Sequence, residues 1–295
     1  MRIFLTGSTG FIGTQVTREL LTAGHQVLGL TRSAAGAEAL RNQGAEPWQG
    51  DLQDLASLHD GAAGCDAVIH TAFDHDFSHF VANCEKDARA IAALGAALEG
   101  TQRPLIITSG TGIGTFAPGQ PADEDHFDGN HPNPRIASEV AGRVLSDRGA
   151  NVVVMRLAQI HDPRKQGLVT ELIRLAREKG LSAYVGDGLT PWSAAHLDDT
   201  AQLYRLALEK HQPGARYHAA AESAIAFRDI AQTIGQGLGL PTVSLPADQA
   251  AAHFGWMAAF VDKSMASASH KTRERLGWQP TGPGLLADLR TCLAG

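Results

Sequence analysis

Arg2-Ile3-Phe4-Leu5-Thr6-Gly7-Ser8-Thr9-Gly10-Phe11-Ile12-Gly13 is the stretch that decides the fold. A short apolar run ends in three spaced glycines, and these open Phe11–Ala23, whose apolar positions recur at helical spacing. Strand, glycine turn and helix in that order build an anion cradle. Gly7 permits the tight turn, Gly10 lets main-chain N–H groups approach a pyrophosphate, and Gly13 lets the helix pack against the strand. The helix's positive end then faces the phosphate charge, with Ser8, Thr9, Phe11 and Ile12 completing the cradle.

Outward from that turn, short apolar runs alternate with helical patterns as far as Arg156. The expected strands are Ile3–Thr6, Gln26–Thr31, Glu46–Gln49, Ala67–Thr71, Leu105–Ser109 and Val152–Arg156. Phe11–Ala23, Ala35–Gly44, Phe77–Leu98 and Pro134–Gly149 are the expected helices. This βαβ alternation predicts an α/β fold, a Rossmann-type doubly wound parallel sheet with helices on both faces. Beyond Arg156 the alternation loosens into helices punctuated by Gly and Pro, which predicts a smaller, mostly helical C-terminal lobe. The expected division is residues 1–160 for the dinucleotide-binding domain and 161–295 for the substrate lobe, with parts of 190–220 returning to the sheet.

The second strand ends in Leu30-Thr31-Arg32-Ser33, where an acidic residue would hold the ribose hydroxyls of NAD. No acid is present. Arg32 offers a planar cationic fork and Ser33 a hydroxyl, groups that suit a ribose 2′-phosphate, so NADP(H) is the expected cofactor. After the third strand, Asp51-Leu52 is placed beside the adenine, with Asp51 also suited to cap the following helix. The fourth strand ends in His70-Thr71-Ala72-Phe73, where small residues leave the cofactor close to the backbone, and Thr71, Ala72 and Phe73 are its expected contacts.

In order, the Gly7–Gly13 turn, Gly50-Asp51-Leu52, His70–Phe73, Thr108-Ser109-Gly110 and Ala195-His196-Leu197-Asp198-Asp199 resemble the landmarks of extended short-chain dehydrogenase/reductases, the relatives of sugar-nucleotide epimerases, dehydratases and 3β-hydroxysteroid dehydrogenases. The resemblance spans essentially the whole chain and adds Thr108 to the cofactor contacts. It also implies a Tyr-x-x-x-Lys pair on the helix after the fifth strand, and here the chain departs from the pattern. The helix reads Asn133-Pro134-Arg135-Ile136-Ala137-Ser138-Glu139, so Arg135 and Glu139 stand at the aligned positions, as in the atypical branch of the family. Four residues apart on one helical face, they are expected to pair with each other. The serine/threonine position falls at Ser109 and Thr111.

Arginine stays protonated and donates protons poorly, but it polarises a carbonyl or binds a carboxylate. Glu139 acts as an acid only if burial outweighs its cationic neighbour. His75, in the titratable loop Asp74-His75-Asp76-Phe77-Ser78-His79, and His161, after the sixth strand, are the candidate proton donors. Asp76 or Ser78 suits the cap of the next helix. His253, Trp256, Met257 and Phe260 suit core packing or the wall of an apolar pocket.

Composition bounds the rest. A net charge of −6 with no cationic run leaves nothing to displace counterions from a nucleic acid. Cys65, Cys84 and Cys292 are too dispersed for a disulfide framework or a zinc site, so free thiols and no metal are expected. A strand beginning at Arg2 leaves no room for a leader, and no apolar run reaches the ~20 residues of a membrane span, so a cytoplasmic protein is the expectation. The residues and the resemblance together imply an NADP(H)-dependent oxidoreductase acting on a small or medium lipophilic carbonyl or alcohol. A sugar-nucleotide epimerase or dehydratase and a non-catalytic NADP(H) sensor are the alternatives. Dimerisation through the helices after the fourth and fifth strands is common in the family.

Overall fold

A computed structural model describes residues 1–294. Chain order is β1 (Arg2–Thr6), α1 (Phe11–Thr22), β2 (Gln26–Thr31), α2 (Ala34–Gln43), β3 (Glu46–Gln49), α3 (Leu55–Ala63), β4 (Ala67–His70), α4 (Phe80–Ala96), β5 (Leu105–Gly110), α5 (Ile136–Asp147), β6 (Val152–Leu157) and β7 (Gln159–His161). It continues through α6 (Val169–Lys179), β8 (Ser182–Val185), β9 (Pro191–His196), α7 (Leu197–Lys210), β10 (Arg216–Ala219), β11 (Glu222–Ala226), α8 (Phe227–Leu238) and β12 (Thr242–Leu245). The chain closes with α9 (Ala250–Phe254), α10 (Ala258–Val261), α11 (His270–Leu276) and α12 (Leu285–Ala294).

Seven strands form one parallel sheet in the order β10-β6-β5-β4-β1-β2-β3. Alternation along β1 shows why helices cover both faces. Ile3 and Leu5 pack with Val16 of α1, Leu40 of α2 and Leu203 of α7, while Phe4 packs with Leu58 of α3, Ile91 of α4 and Leu145 of α5. All three β1 side chains are fully buried, as a parallel sheet requires. The order reverses between β1 and β4, and the crevice at their carboxyl ends is where open α/β sheets take ligands.

A third apolar core, around Trp192, Phe227, Ile230, Met257 and Leu289, holds the C-terminal lobe. Alongside its helices the lobe carries two small sheets, β11-β9-β7 and β12-β8, whose short strands lacked a clear period in the sequence. β7, which carries His161, was not among the expected strands. β10 lies at the edge of the seven-stranded sheet, inside the 190–220 segment expected to return there. The helix expected from Phe77 begins instead as one 3₁₀ turn, Phe77–His79, capped by Asp76, whose carboxylate accepts from Ser78 N at 3.0 Å. The three cysteines are unpaired. Among the described residues, no helix is long and apolar enough to cross a membrane, and no three His, Cys, Asp or Glu side chains are grouped to hold a metal.

Candidate active site

The glycine turn closes as its spacing demands. Gly7 has φ of +72°, and a Cβ there would lie 2.7 Å from both Ala72 N and Thr71 Oγ1. At Gly13 the crowding is worse: a Cβ would sit 2.0 Å from Gly7 O. Gly10 occupies the N-cap of α1 with no side-chain cap, and no acidic residue stands in the first turn. Geometry leaves the Phe11, Ile12 and Gly13 amides without intrahelical partners. An uncapped helix start with bare glycine around it fits a pyrophosphate and offers no competing carboxylate.

The side chains of the cradle divide into scaffold and surface. Ser8 is buried and donates to Leu30 O at 2.9 Å, so it ties the turn to β2. Phe11 and Ile12 pack against the core, while Thr9 and Arg32 are exposed. Ser33 caps α2, accepting from Gly36 N at 3.1 Å and retaining its own proton for a ligand. Asp51 does not cap α3. Its carboxylate accepts from Gln53 N at 2.7 Å in a local turn, and Asp54, three residues on, caps the helix through Ser57 N at 3.0 Å. Leu52 packs half-buried beside it. Thr71 donates to Thr6 O at 2.8 Å. The Thr108 hydroxyl is consumed by His70 O at 2.7 Å and the Tyr204 hydroxyl at 2.6 Å, so it is not free for a cofactor as the resemblance implied.

Arg135 and Glu139 do not pair with each other, contrary to their spacing. Arg135 Nη1 donates to Asp87 Oδ2 at 2.6 Å and to Ser138 Oγ, and Nη2 donates to the Thr108 carbonyl at 2.7 Å. Its Cζ lies 4.0 Å from the centre of the Phe73 ring. The guanidinium therefore stands over the carboxyl ends of β4 and β5, beside the crevice. Glu139, fully buried, is gripped by Arg156 through two bonds of 2.8 Å and by Arg216 at 3.1 Å. Burial pushes its carboxyl up, but the two arginines hold it below the usual range. Enclosed and ionised, Glu139 is a structural counter-ion. The helix parts the two residues because each has a better partner: Asp87 below Arg135, and Arg156 on β6 beside Glu139.

The hydroxyls at the serine/threonine position are shut in. Ser109, beside Arg156 in the β5–β6 register, is buried with its Oγ unpartnered, and Thr111 is buried at the start of the following 3₁₀ turn. Tyr204 is fully buried, which pushes its phenol up and away from proton donation.

The two candidate histidines separate. His161 is fully buried in β7, with Nδ1 on Asp288 at 2.7 Å and Nε2 unpartnered, and its ring lies 5.7 Å from His196. Burial lowers its pKa against the pull of Asp288. It belongs to the lobe's packing. His75 sits at the crevice mouth, its ring 5.3 Å from Phe73, so imidazole and Arg135 share one aromatic neighbour. Crowding by its neighbours lowers its pKa, helped by the Lys165 and Arg135 cations. Phe77, next along, stacks on Trp256 of the lobe at 4.8 Å and 15°, and Trp256 meets Phe260 edge-on. Trp256 is thus a wall element at the surface, while Met257 is core.

Asp199, in the first turn of α7, holds the C-terminal segment, accepting from Thr281 N and Gly282 N, each at 2.9 Å. Residues the sequence did not single out complete the site. Asp87 joins Arg135 to His70, and Lys165, reaching from the lobe, places Nζ 5.7 Å from the Phe11 ring. Asp87 carried a signal: it interrupts the apolar stripe Cys84, Ile91, Leu94 on the inner face of α4. A carboxylate on that stripe demands buried partners.

The profile of the NAD(P)H-binding family matches residues 7–183. The Schizosaccharomyces pombe protein C2A9.02 is 43% identical over 290 residues, covering 98% of each chain. A 2-alkyl-3-oxoalkanoate reductase from Stenotrophomonas maltophilia is 31% identical, over 82% of this chain and 77% of its own length. In fold, the chain superimposes on DesIV, a dTDP-glucose 4,6-dehydratase of Streptomyces venezuelae crystallised with NAD, with a TM-score of 0.78 at 18% identity over 99% of this chain and 96% of that one. Motif order, sheet topology and sequence similarity agree: the chain belongs to the NAD(P)H-binding family, and its fold is the one seen in the dehydratase.

Proposed function

We propose that the chain is an NADP(H)-dependent oxidoreductase that reduces a small or medium lipophilic carbonyl, or oxidises the matching alcohol. Residues 1–160 would hold the dinucleotide, and residues 161–295 would supply the substrate wall. One observation carries the reading: the Arg135 guanidinium, at the position where relatives carry tyrosine, is fixed over the carboxyl ends of β4 and β5. Of its five N–H donors, three are engaged and two remain for a substrate oxygen.

The bound dinucleotide would supply hydride. Arg135 would donate hydrogen bonds to the carbonyl oxygen and stabilise the negative charge that develops there, a role for a fixed cation rather than for a proton donor. His75, across the Phe73 ring, would deliver the proton. Phe73, Phe77 and Trp256 would line the approach, which suits an alkyl substrate such as that named for the Stenotrophomonas reductase. Arg32 and Ser33 would take the 2′-phosphate, and the absence of an acid at the end of β2 favours NADP(H) over NAD(H). Free thiols suit a reducing cytoplasm, and exposed Val81 on α4 with Val140 and Val144 on α5 suits a homodimer.

The test is a fluorescence titration of the purified protein with NADPH and NADH, followed by NADPH oxidation against a panel of 3-oxo esters and aromatic ketones. NADPH should bind at least tenfold more tightly, and Arg32→Asp should erase that margin while leaving NADH binding in place. Preference for NADH, or NAD that copurifies tightly, would favour the epimerase alternative. NADPH binding with no turnover across the panel would favour a sensor.

A further inference from the structure

We propose that Asp87 is the positioning residue of this site: its buried carboxylate, braced from the glycine turn through Thr6 and His70, locks the Arg135 guanidinium in place. The inference rests on the role given to Arg135 above. Asp87 is 1% exposed and far from the surface of α4 that meets solvent. Its Oδ2 accepts from Arg135 Nη1 and from Ser138 Oγ, both at 2.6 Å, and its Oδ1 accepts from His70 Nε2 at 2.9 Å. Burial alone would push this carboxyl up, but Arg135 and His70 hold it well below the usual carboxylate range, so it presents a full negative charge to the guanidinium.

The brace continues beyond His70. His70 Nδ1 shares a hydrogen bond of 2.7 Å with Thr6 Oγ1. Thr6 Oγ1 in turn accepts from Ala72 N at 3.3 Å, and Thr6 directly precedes Gly7. An arginine at the first turn of a helix is ordinarily free to swing, and fixing it costs rotamer entropy. Here Asp87 takes one edge, the Thr108 carbonyl takes another, and the Phe73 ring closes a face. The entropy is spent in folding, before any substrate arrives, which is what an oxyanion-stabilising group requires. The resulting chain links the turn that would hold the dinucleotide to the group that would hold the substrate oxygen.

The experiment uses the full chain with Asp87→Asn, which preserves shape and removes the charge. Nitrogen-15 NMR of the arginine side chains, with Arg135 assigned by its absence in Arg135→Lys, reads guanidinium rotation directly and needs no activity. The wild type should show resolved, slowly rotating Arg135 Nη groups, and Asp87→Asn should collapse them. Resolved groups that survive in the folded variant overturn the proposal. Should Asp87→Asn fail to fold, Thr6→Val decides. It cuts the brace two links away and should broaden the same signals, and unchanged signals again overturn the proposal. In turnover of ethyl 2-methyl-3-oxobutanoate with NADPH, Asp87→Asn should lower kcat roughly 10- to 100-fold, the scale of a small misplacement in a site. It should leave the NADPH Kd within about threefold and add no loss in an Arg135→Ala background, where a merely structural effect would add in full. Wild-type turnover by Arg135→Ala, with the NMR collapse intact, would sink the proposed function and leave the positioning role standing.

Discussion

Replacing Gly13 with alanine places a methyl group 2.0 Å from Gly7 O and 2.6 Å from Gly7 C, both main-chain atoms with no side chain to yield. Ordinary contact begins at 3.4 Å, so α1 and the glycine turn must separate by about 1.4 Å. Overpacking of this kind costs about 1–3 kcal/mol, and alanine's better helix propensity returns up to about 1 kcal/mol. With the full return, the net loss of up to about 2 kcal/mol should lower Tm by no more than roughly 8 °C. The larger effect falls on the ligand. Moving the Phe11 and Ile12 amides by that distance forfeits two charge-assisted hydrogen bonds, about 3–6 kcal/mol, or at least about a hundredfold in NADPH Kd. Gly64→Ala is the control, because nothing lies within 4 Å of its added methyl, and Gly10→Ala, 3.1 Å from Gly7 O, should fall between. Fluorescence titration with NADPH beside a thermal melt reads both numbers. If Gly13→Ala binds within threefold of wild type, the amide cradle is not where the phosphates sit.

Two predictions concern the buried charges behind the site. Glu139→Gln strands Arg156 in the core without its counter-charge, and urea denaturation at pH 7 should show a loss of about 3 kcal/mol, the lower end for a broken buried pair because Arg156 keeps the Asp123 and His126 carbonyls. The Glu139 pKa is depressed in the folded state, so its contribution is present above the unfolded value near 4.5 and fades as pH falls below it. The variant should lack that part of the acid sensitivity, and an identical acid limb would show that Glu139 is not a source of it. His218 has the opposite character. Burial, and then Arg156, keep it uncharged in the fold, with Nδ1 donating to Ala268 O at 2.8 Å. The unfolded chain takes up the proton first, so Tm should decline as pH drops below 6.5, and His218→Gln should flatten that decline.

The glycine turn, six strands of the sheet and α1, α2, α4 and α5 between them were legible because each is a local pattern: a period of two or of 3.6, or a residue that alone tolerates a conformation. Gly7 and Gly13 are the clearest cases, since positive φ at one and a main-chain oxygen 2.0 Å from a would-be Cβ at the other leave no substitute. Within the lobe, the extended piece Ala183–Val185 of β8 was legible, whereas β7 and β9 were not, because they are defined by their partners rather than by any period of their own. The site divides the same way. Position marked Arg135 and Glu139 as the residues standing in for the family's pair, yet their spacing suggested a mutual ion pair that the fold does not make.

The sequence by itself determined the glycine-rich turn, the doubly wound sheet and the absence of a Tyr-x-x-x-Lys pair, all carried by residue identity at fixed offsets along the chain. Only the tertiary structure decided which charges meet. Asp87 lies 48 residues from Arg135, and Arg156 lies 17 from Glu139. A buried ion takes the best-placed counter-charge that the packing of helix on sheet delivers, and helical spacing alone contains no information about what the facing element brings.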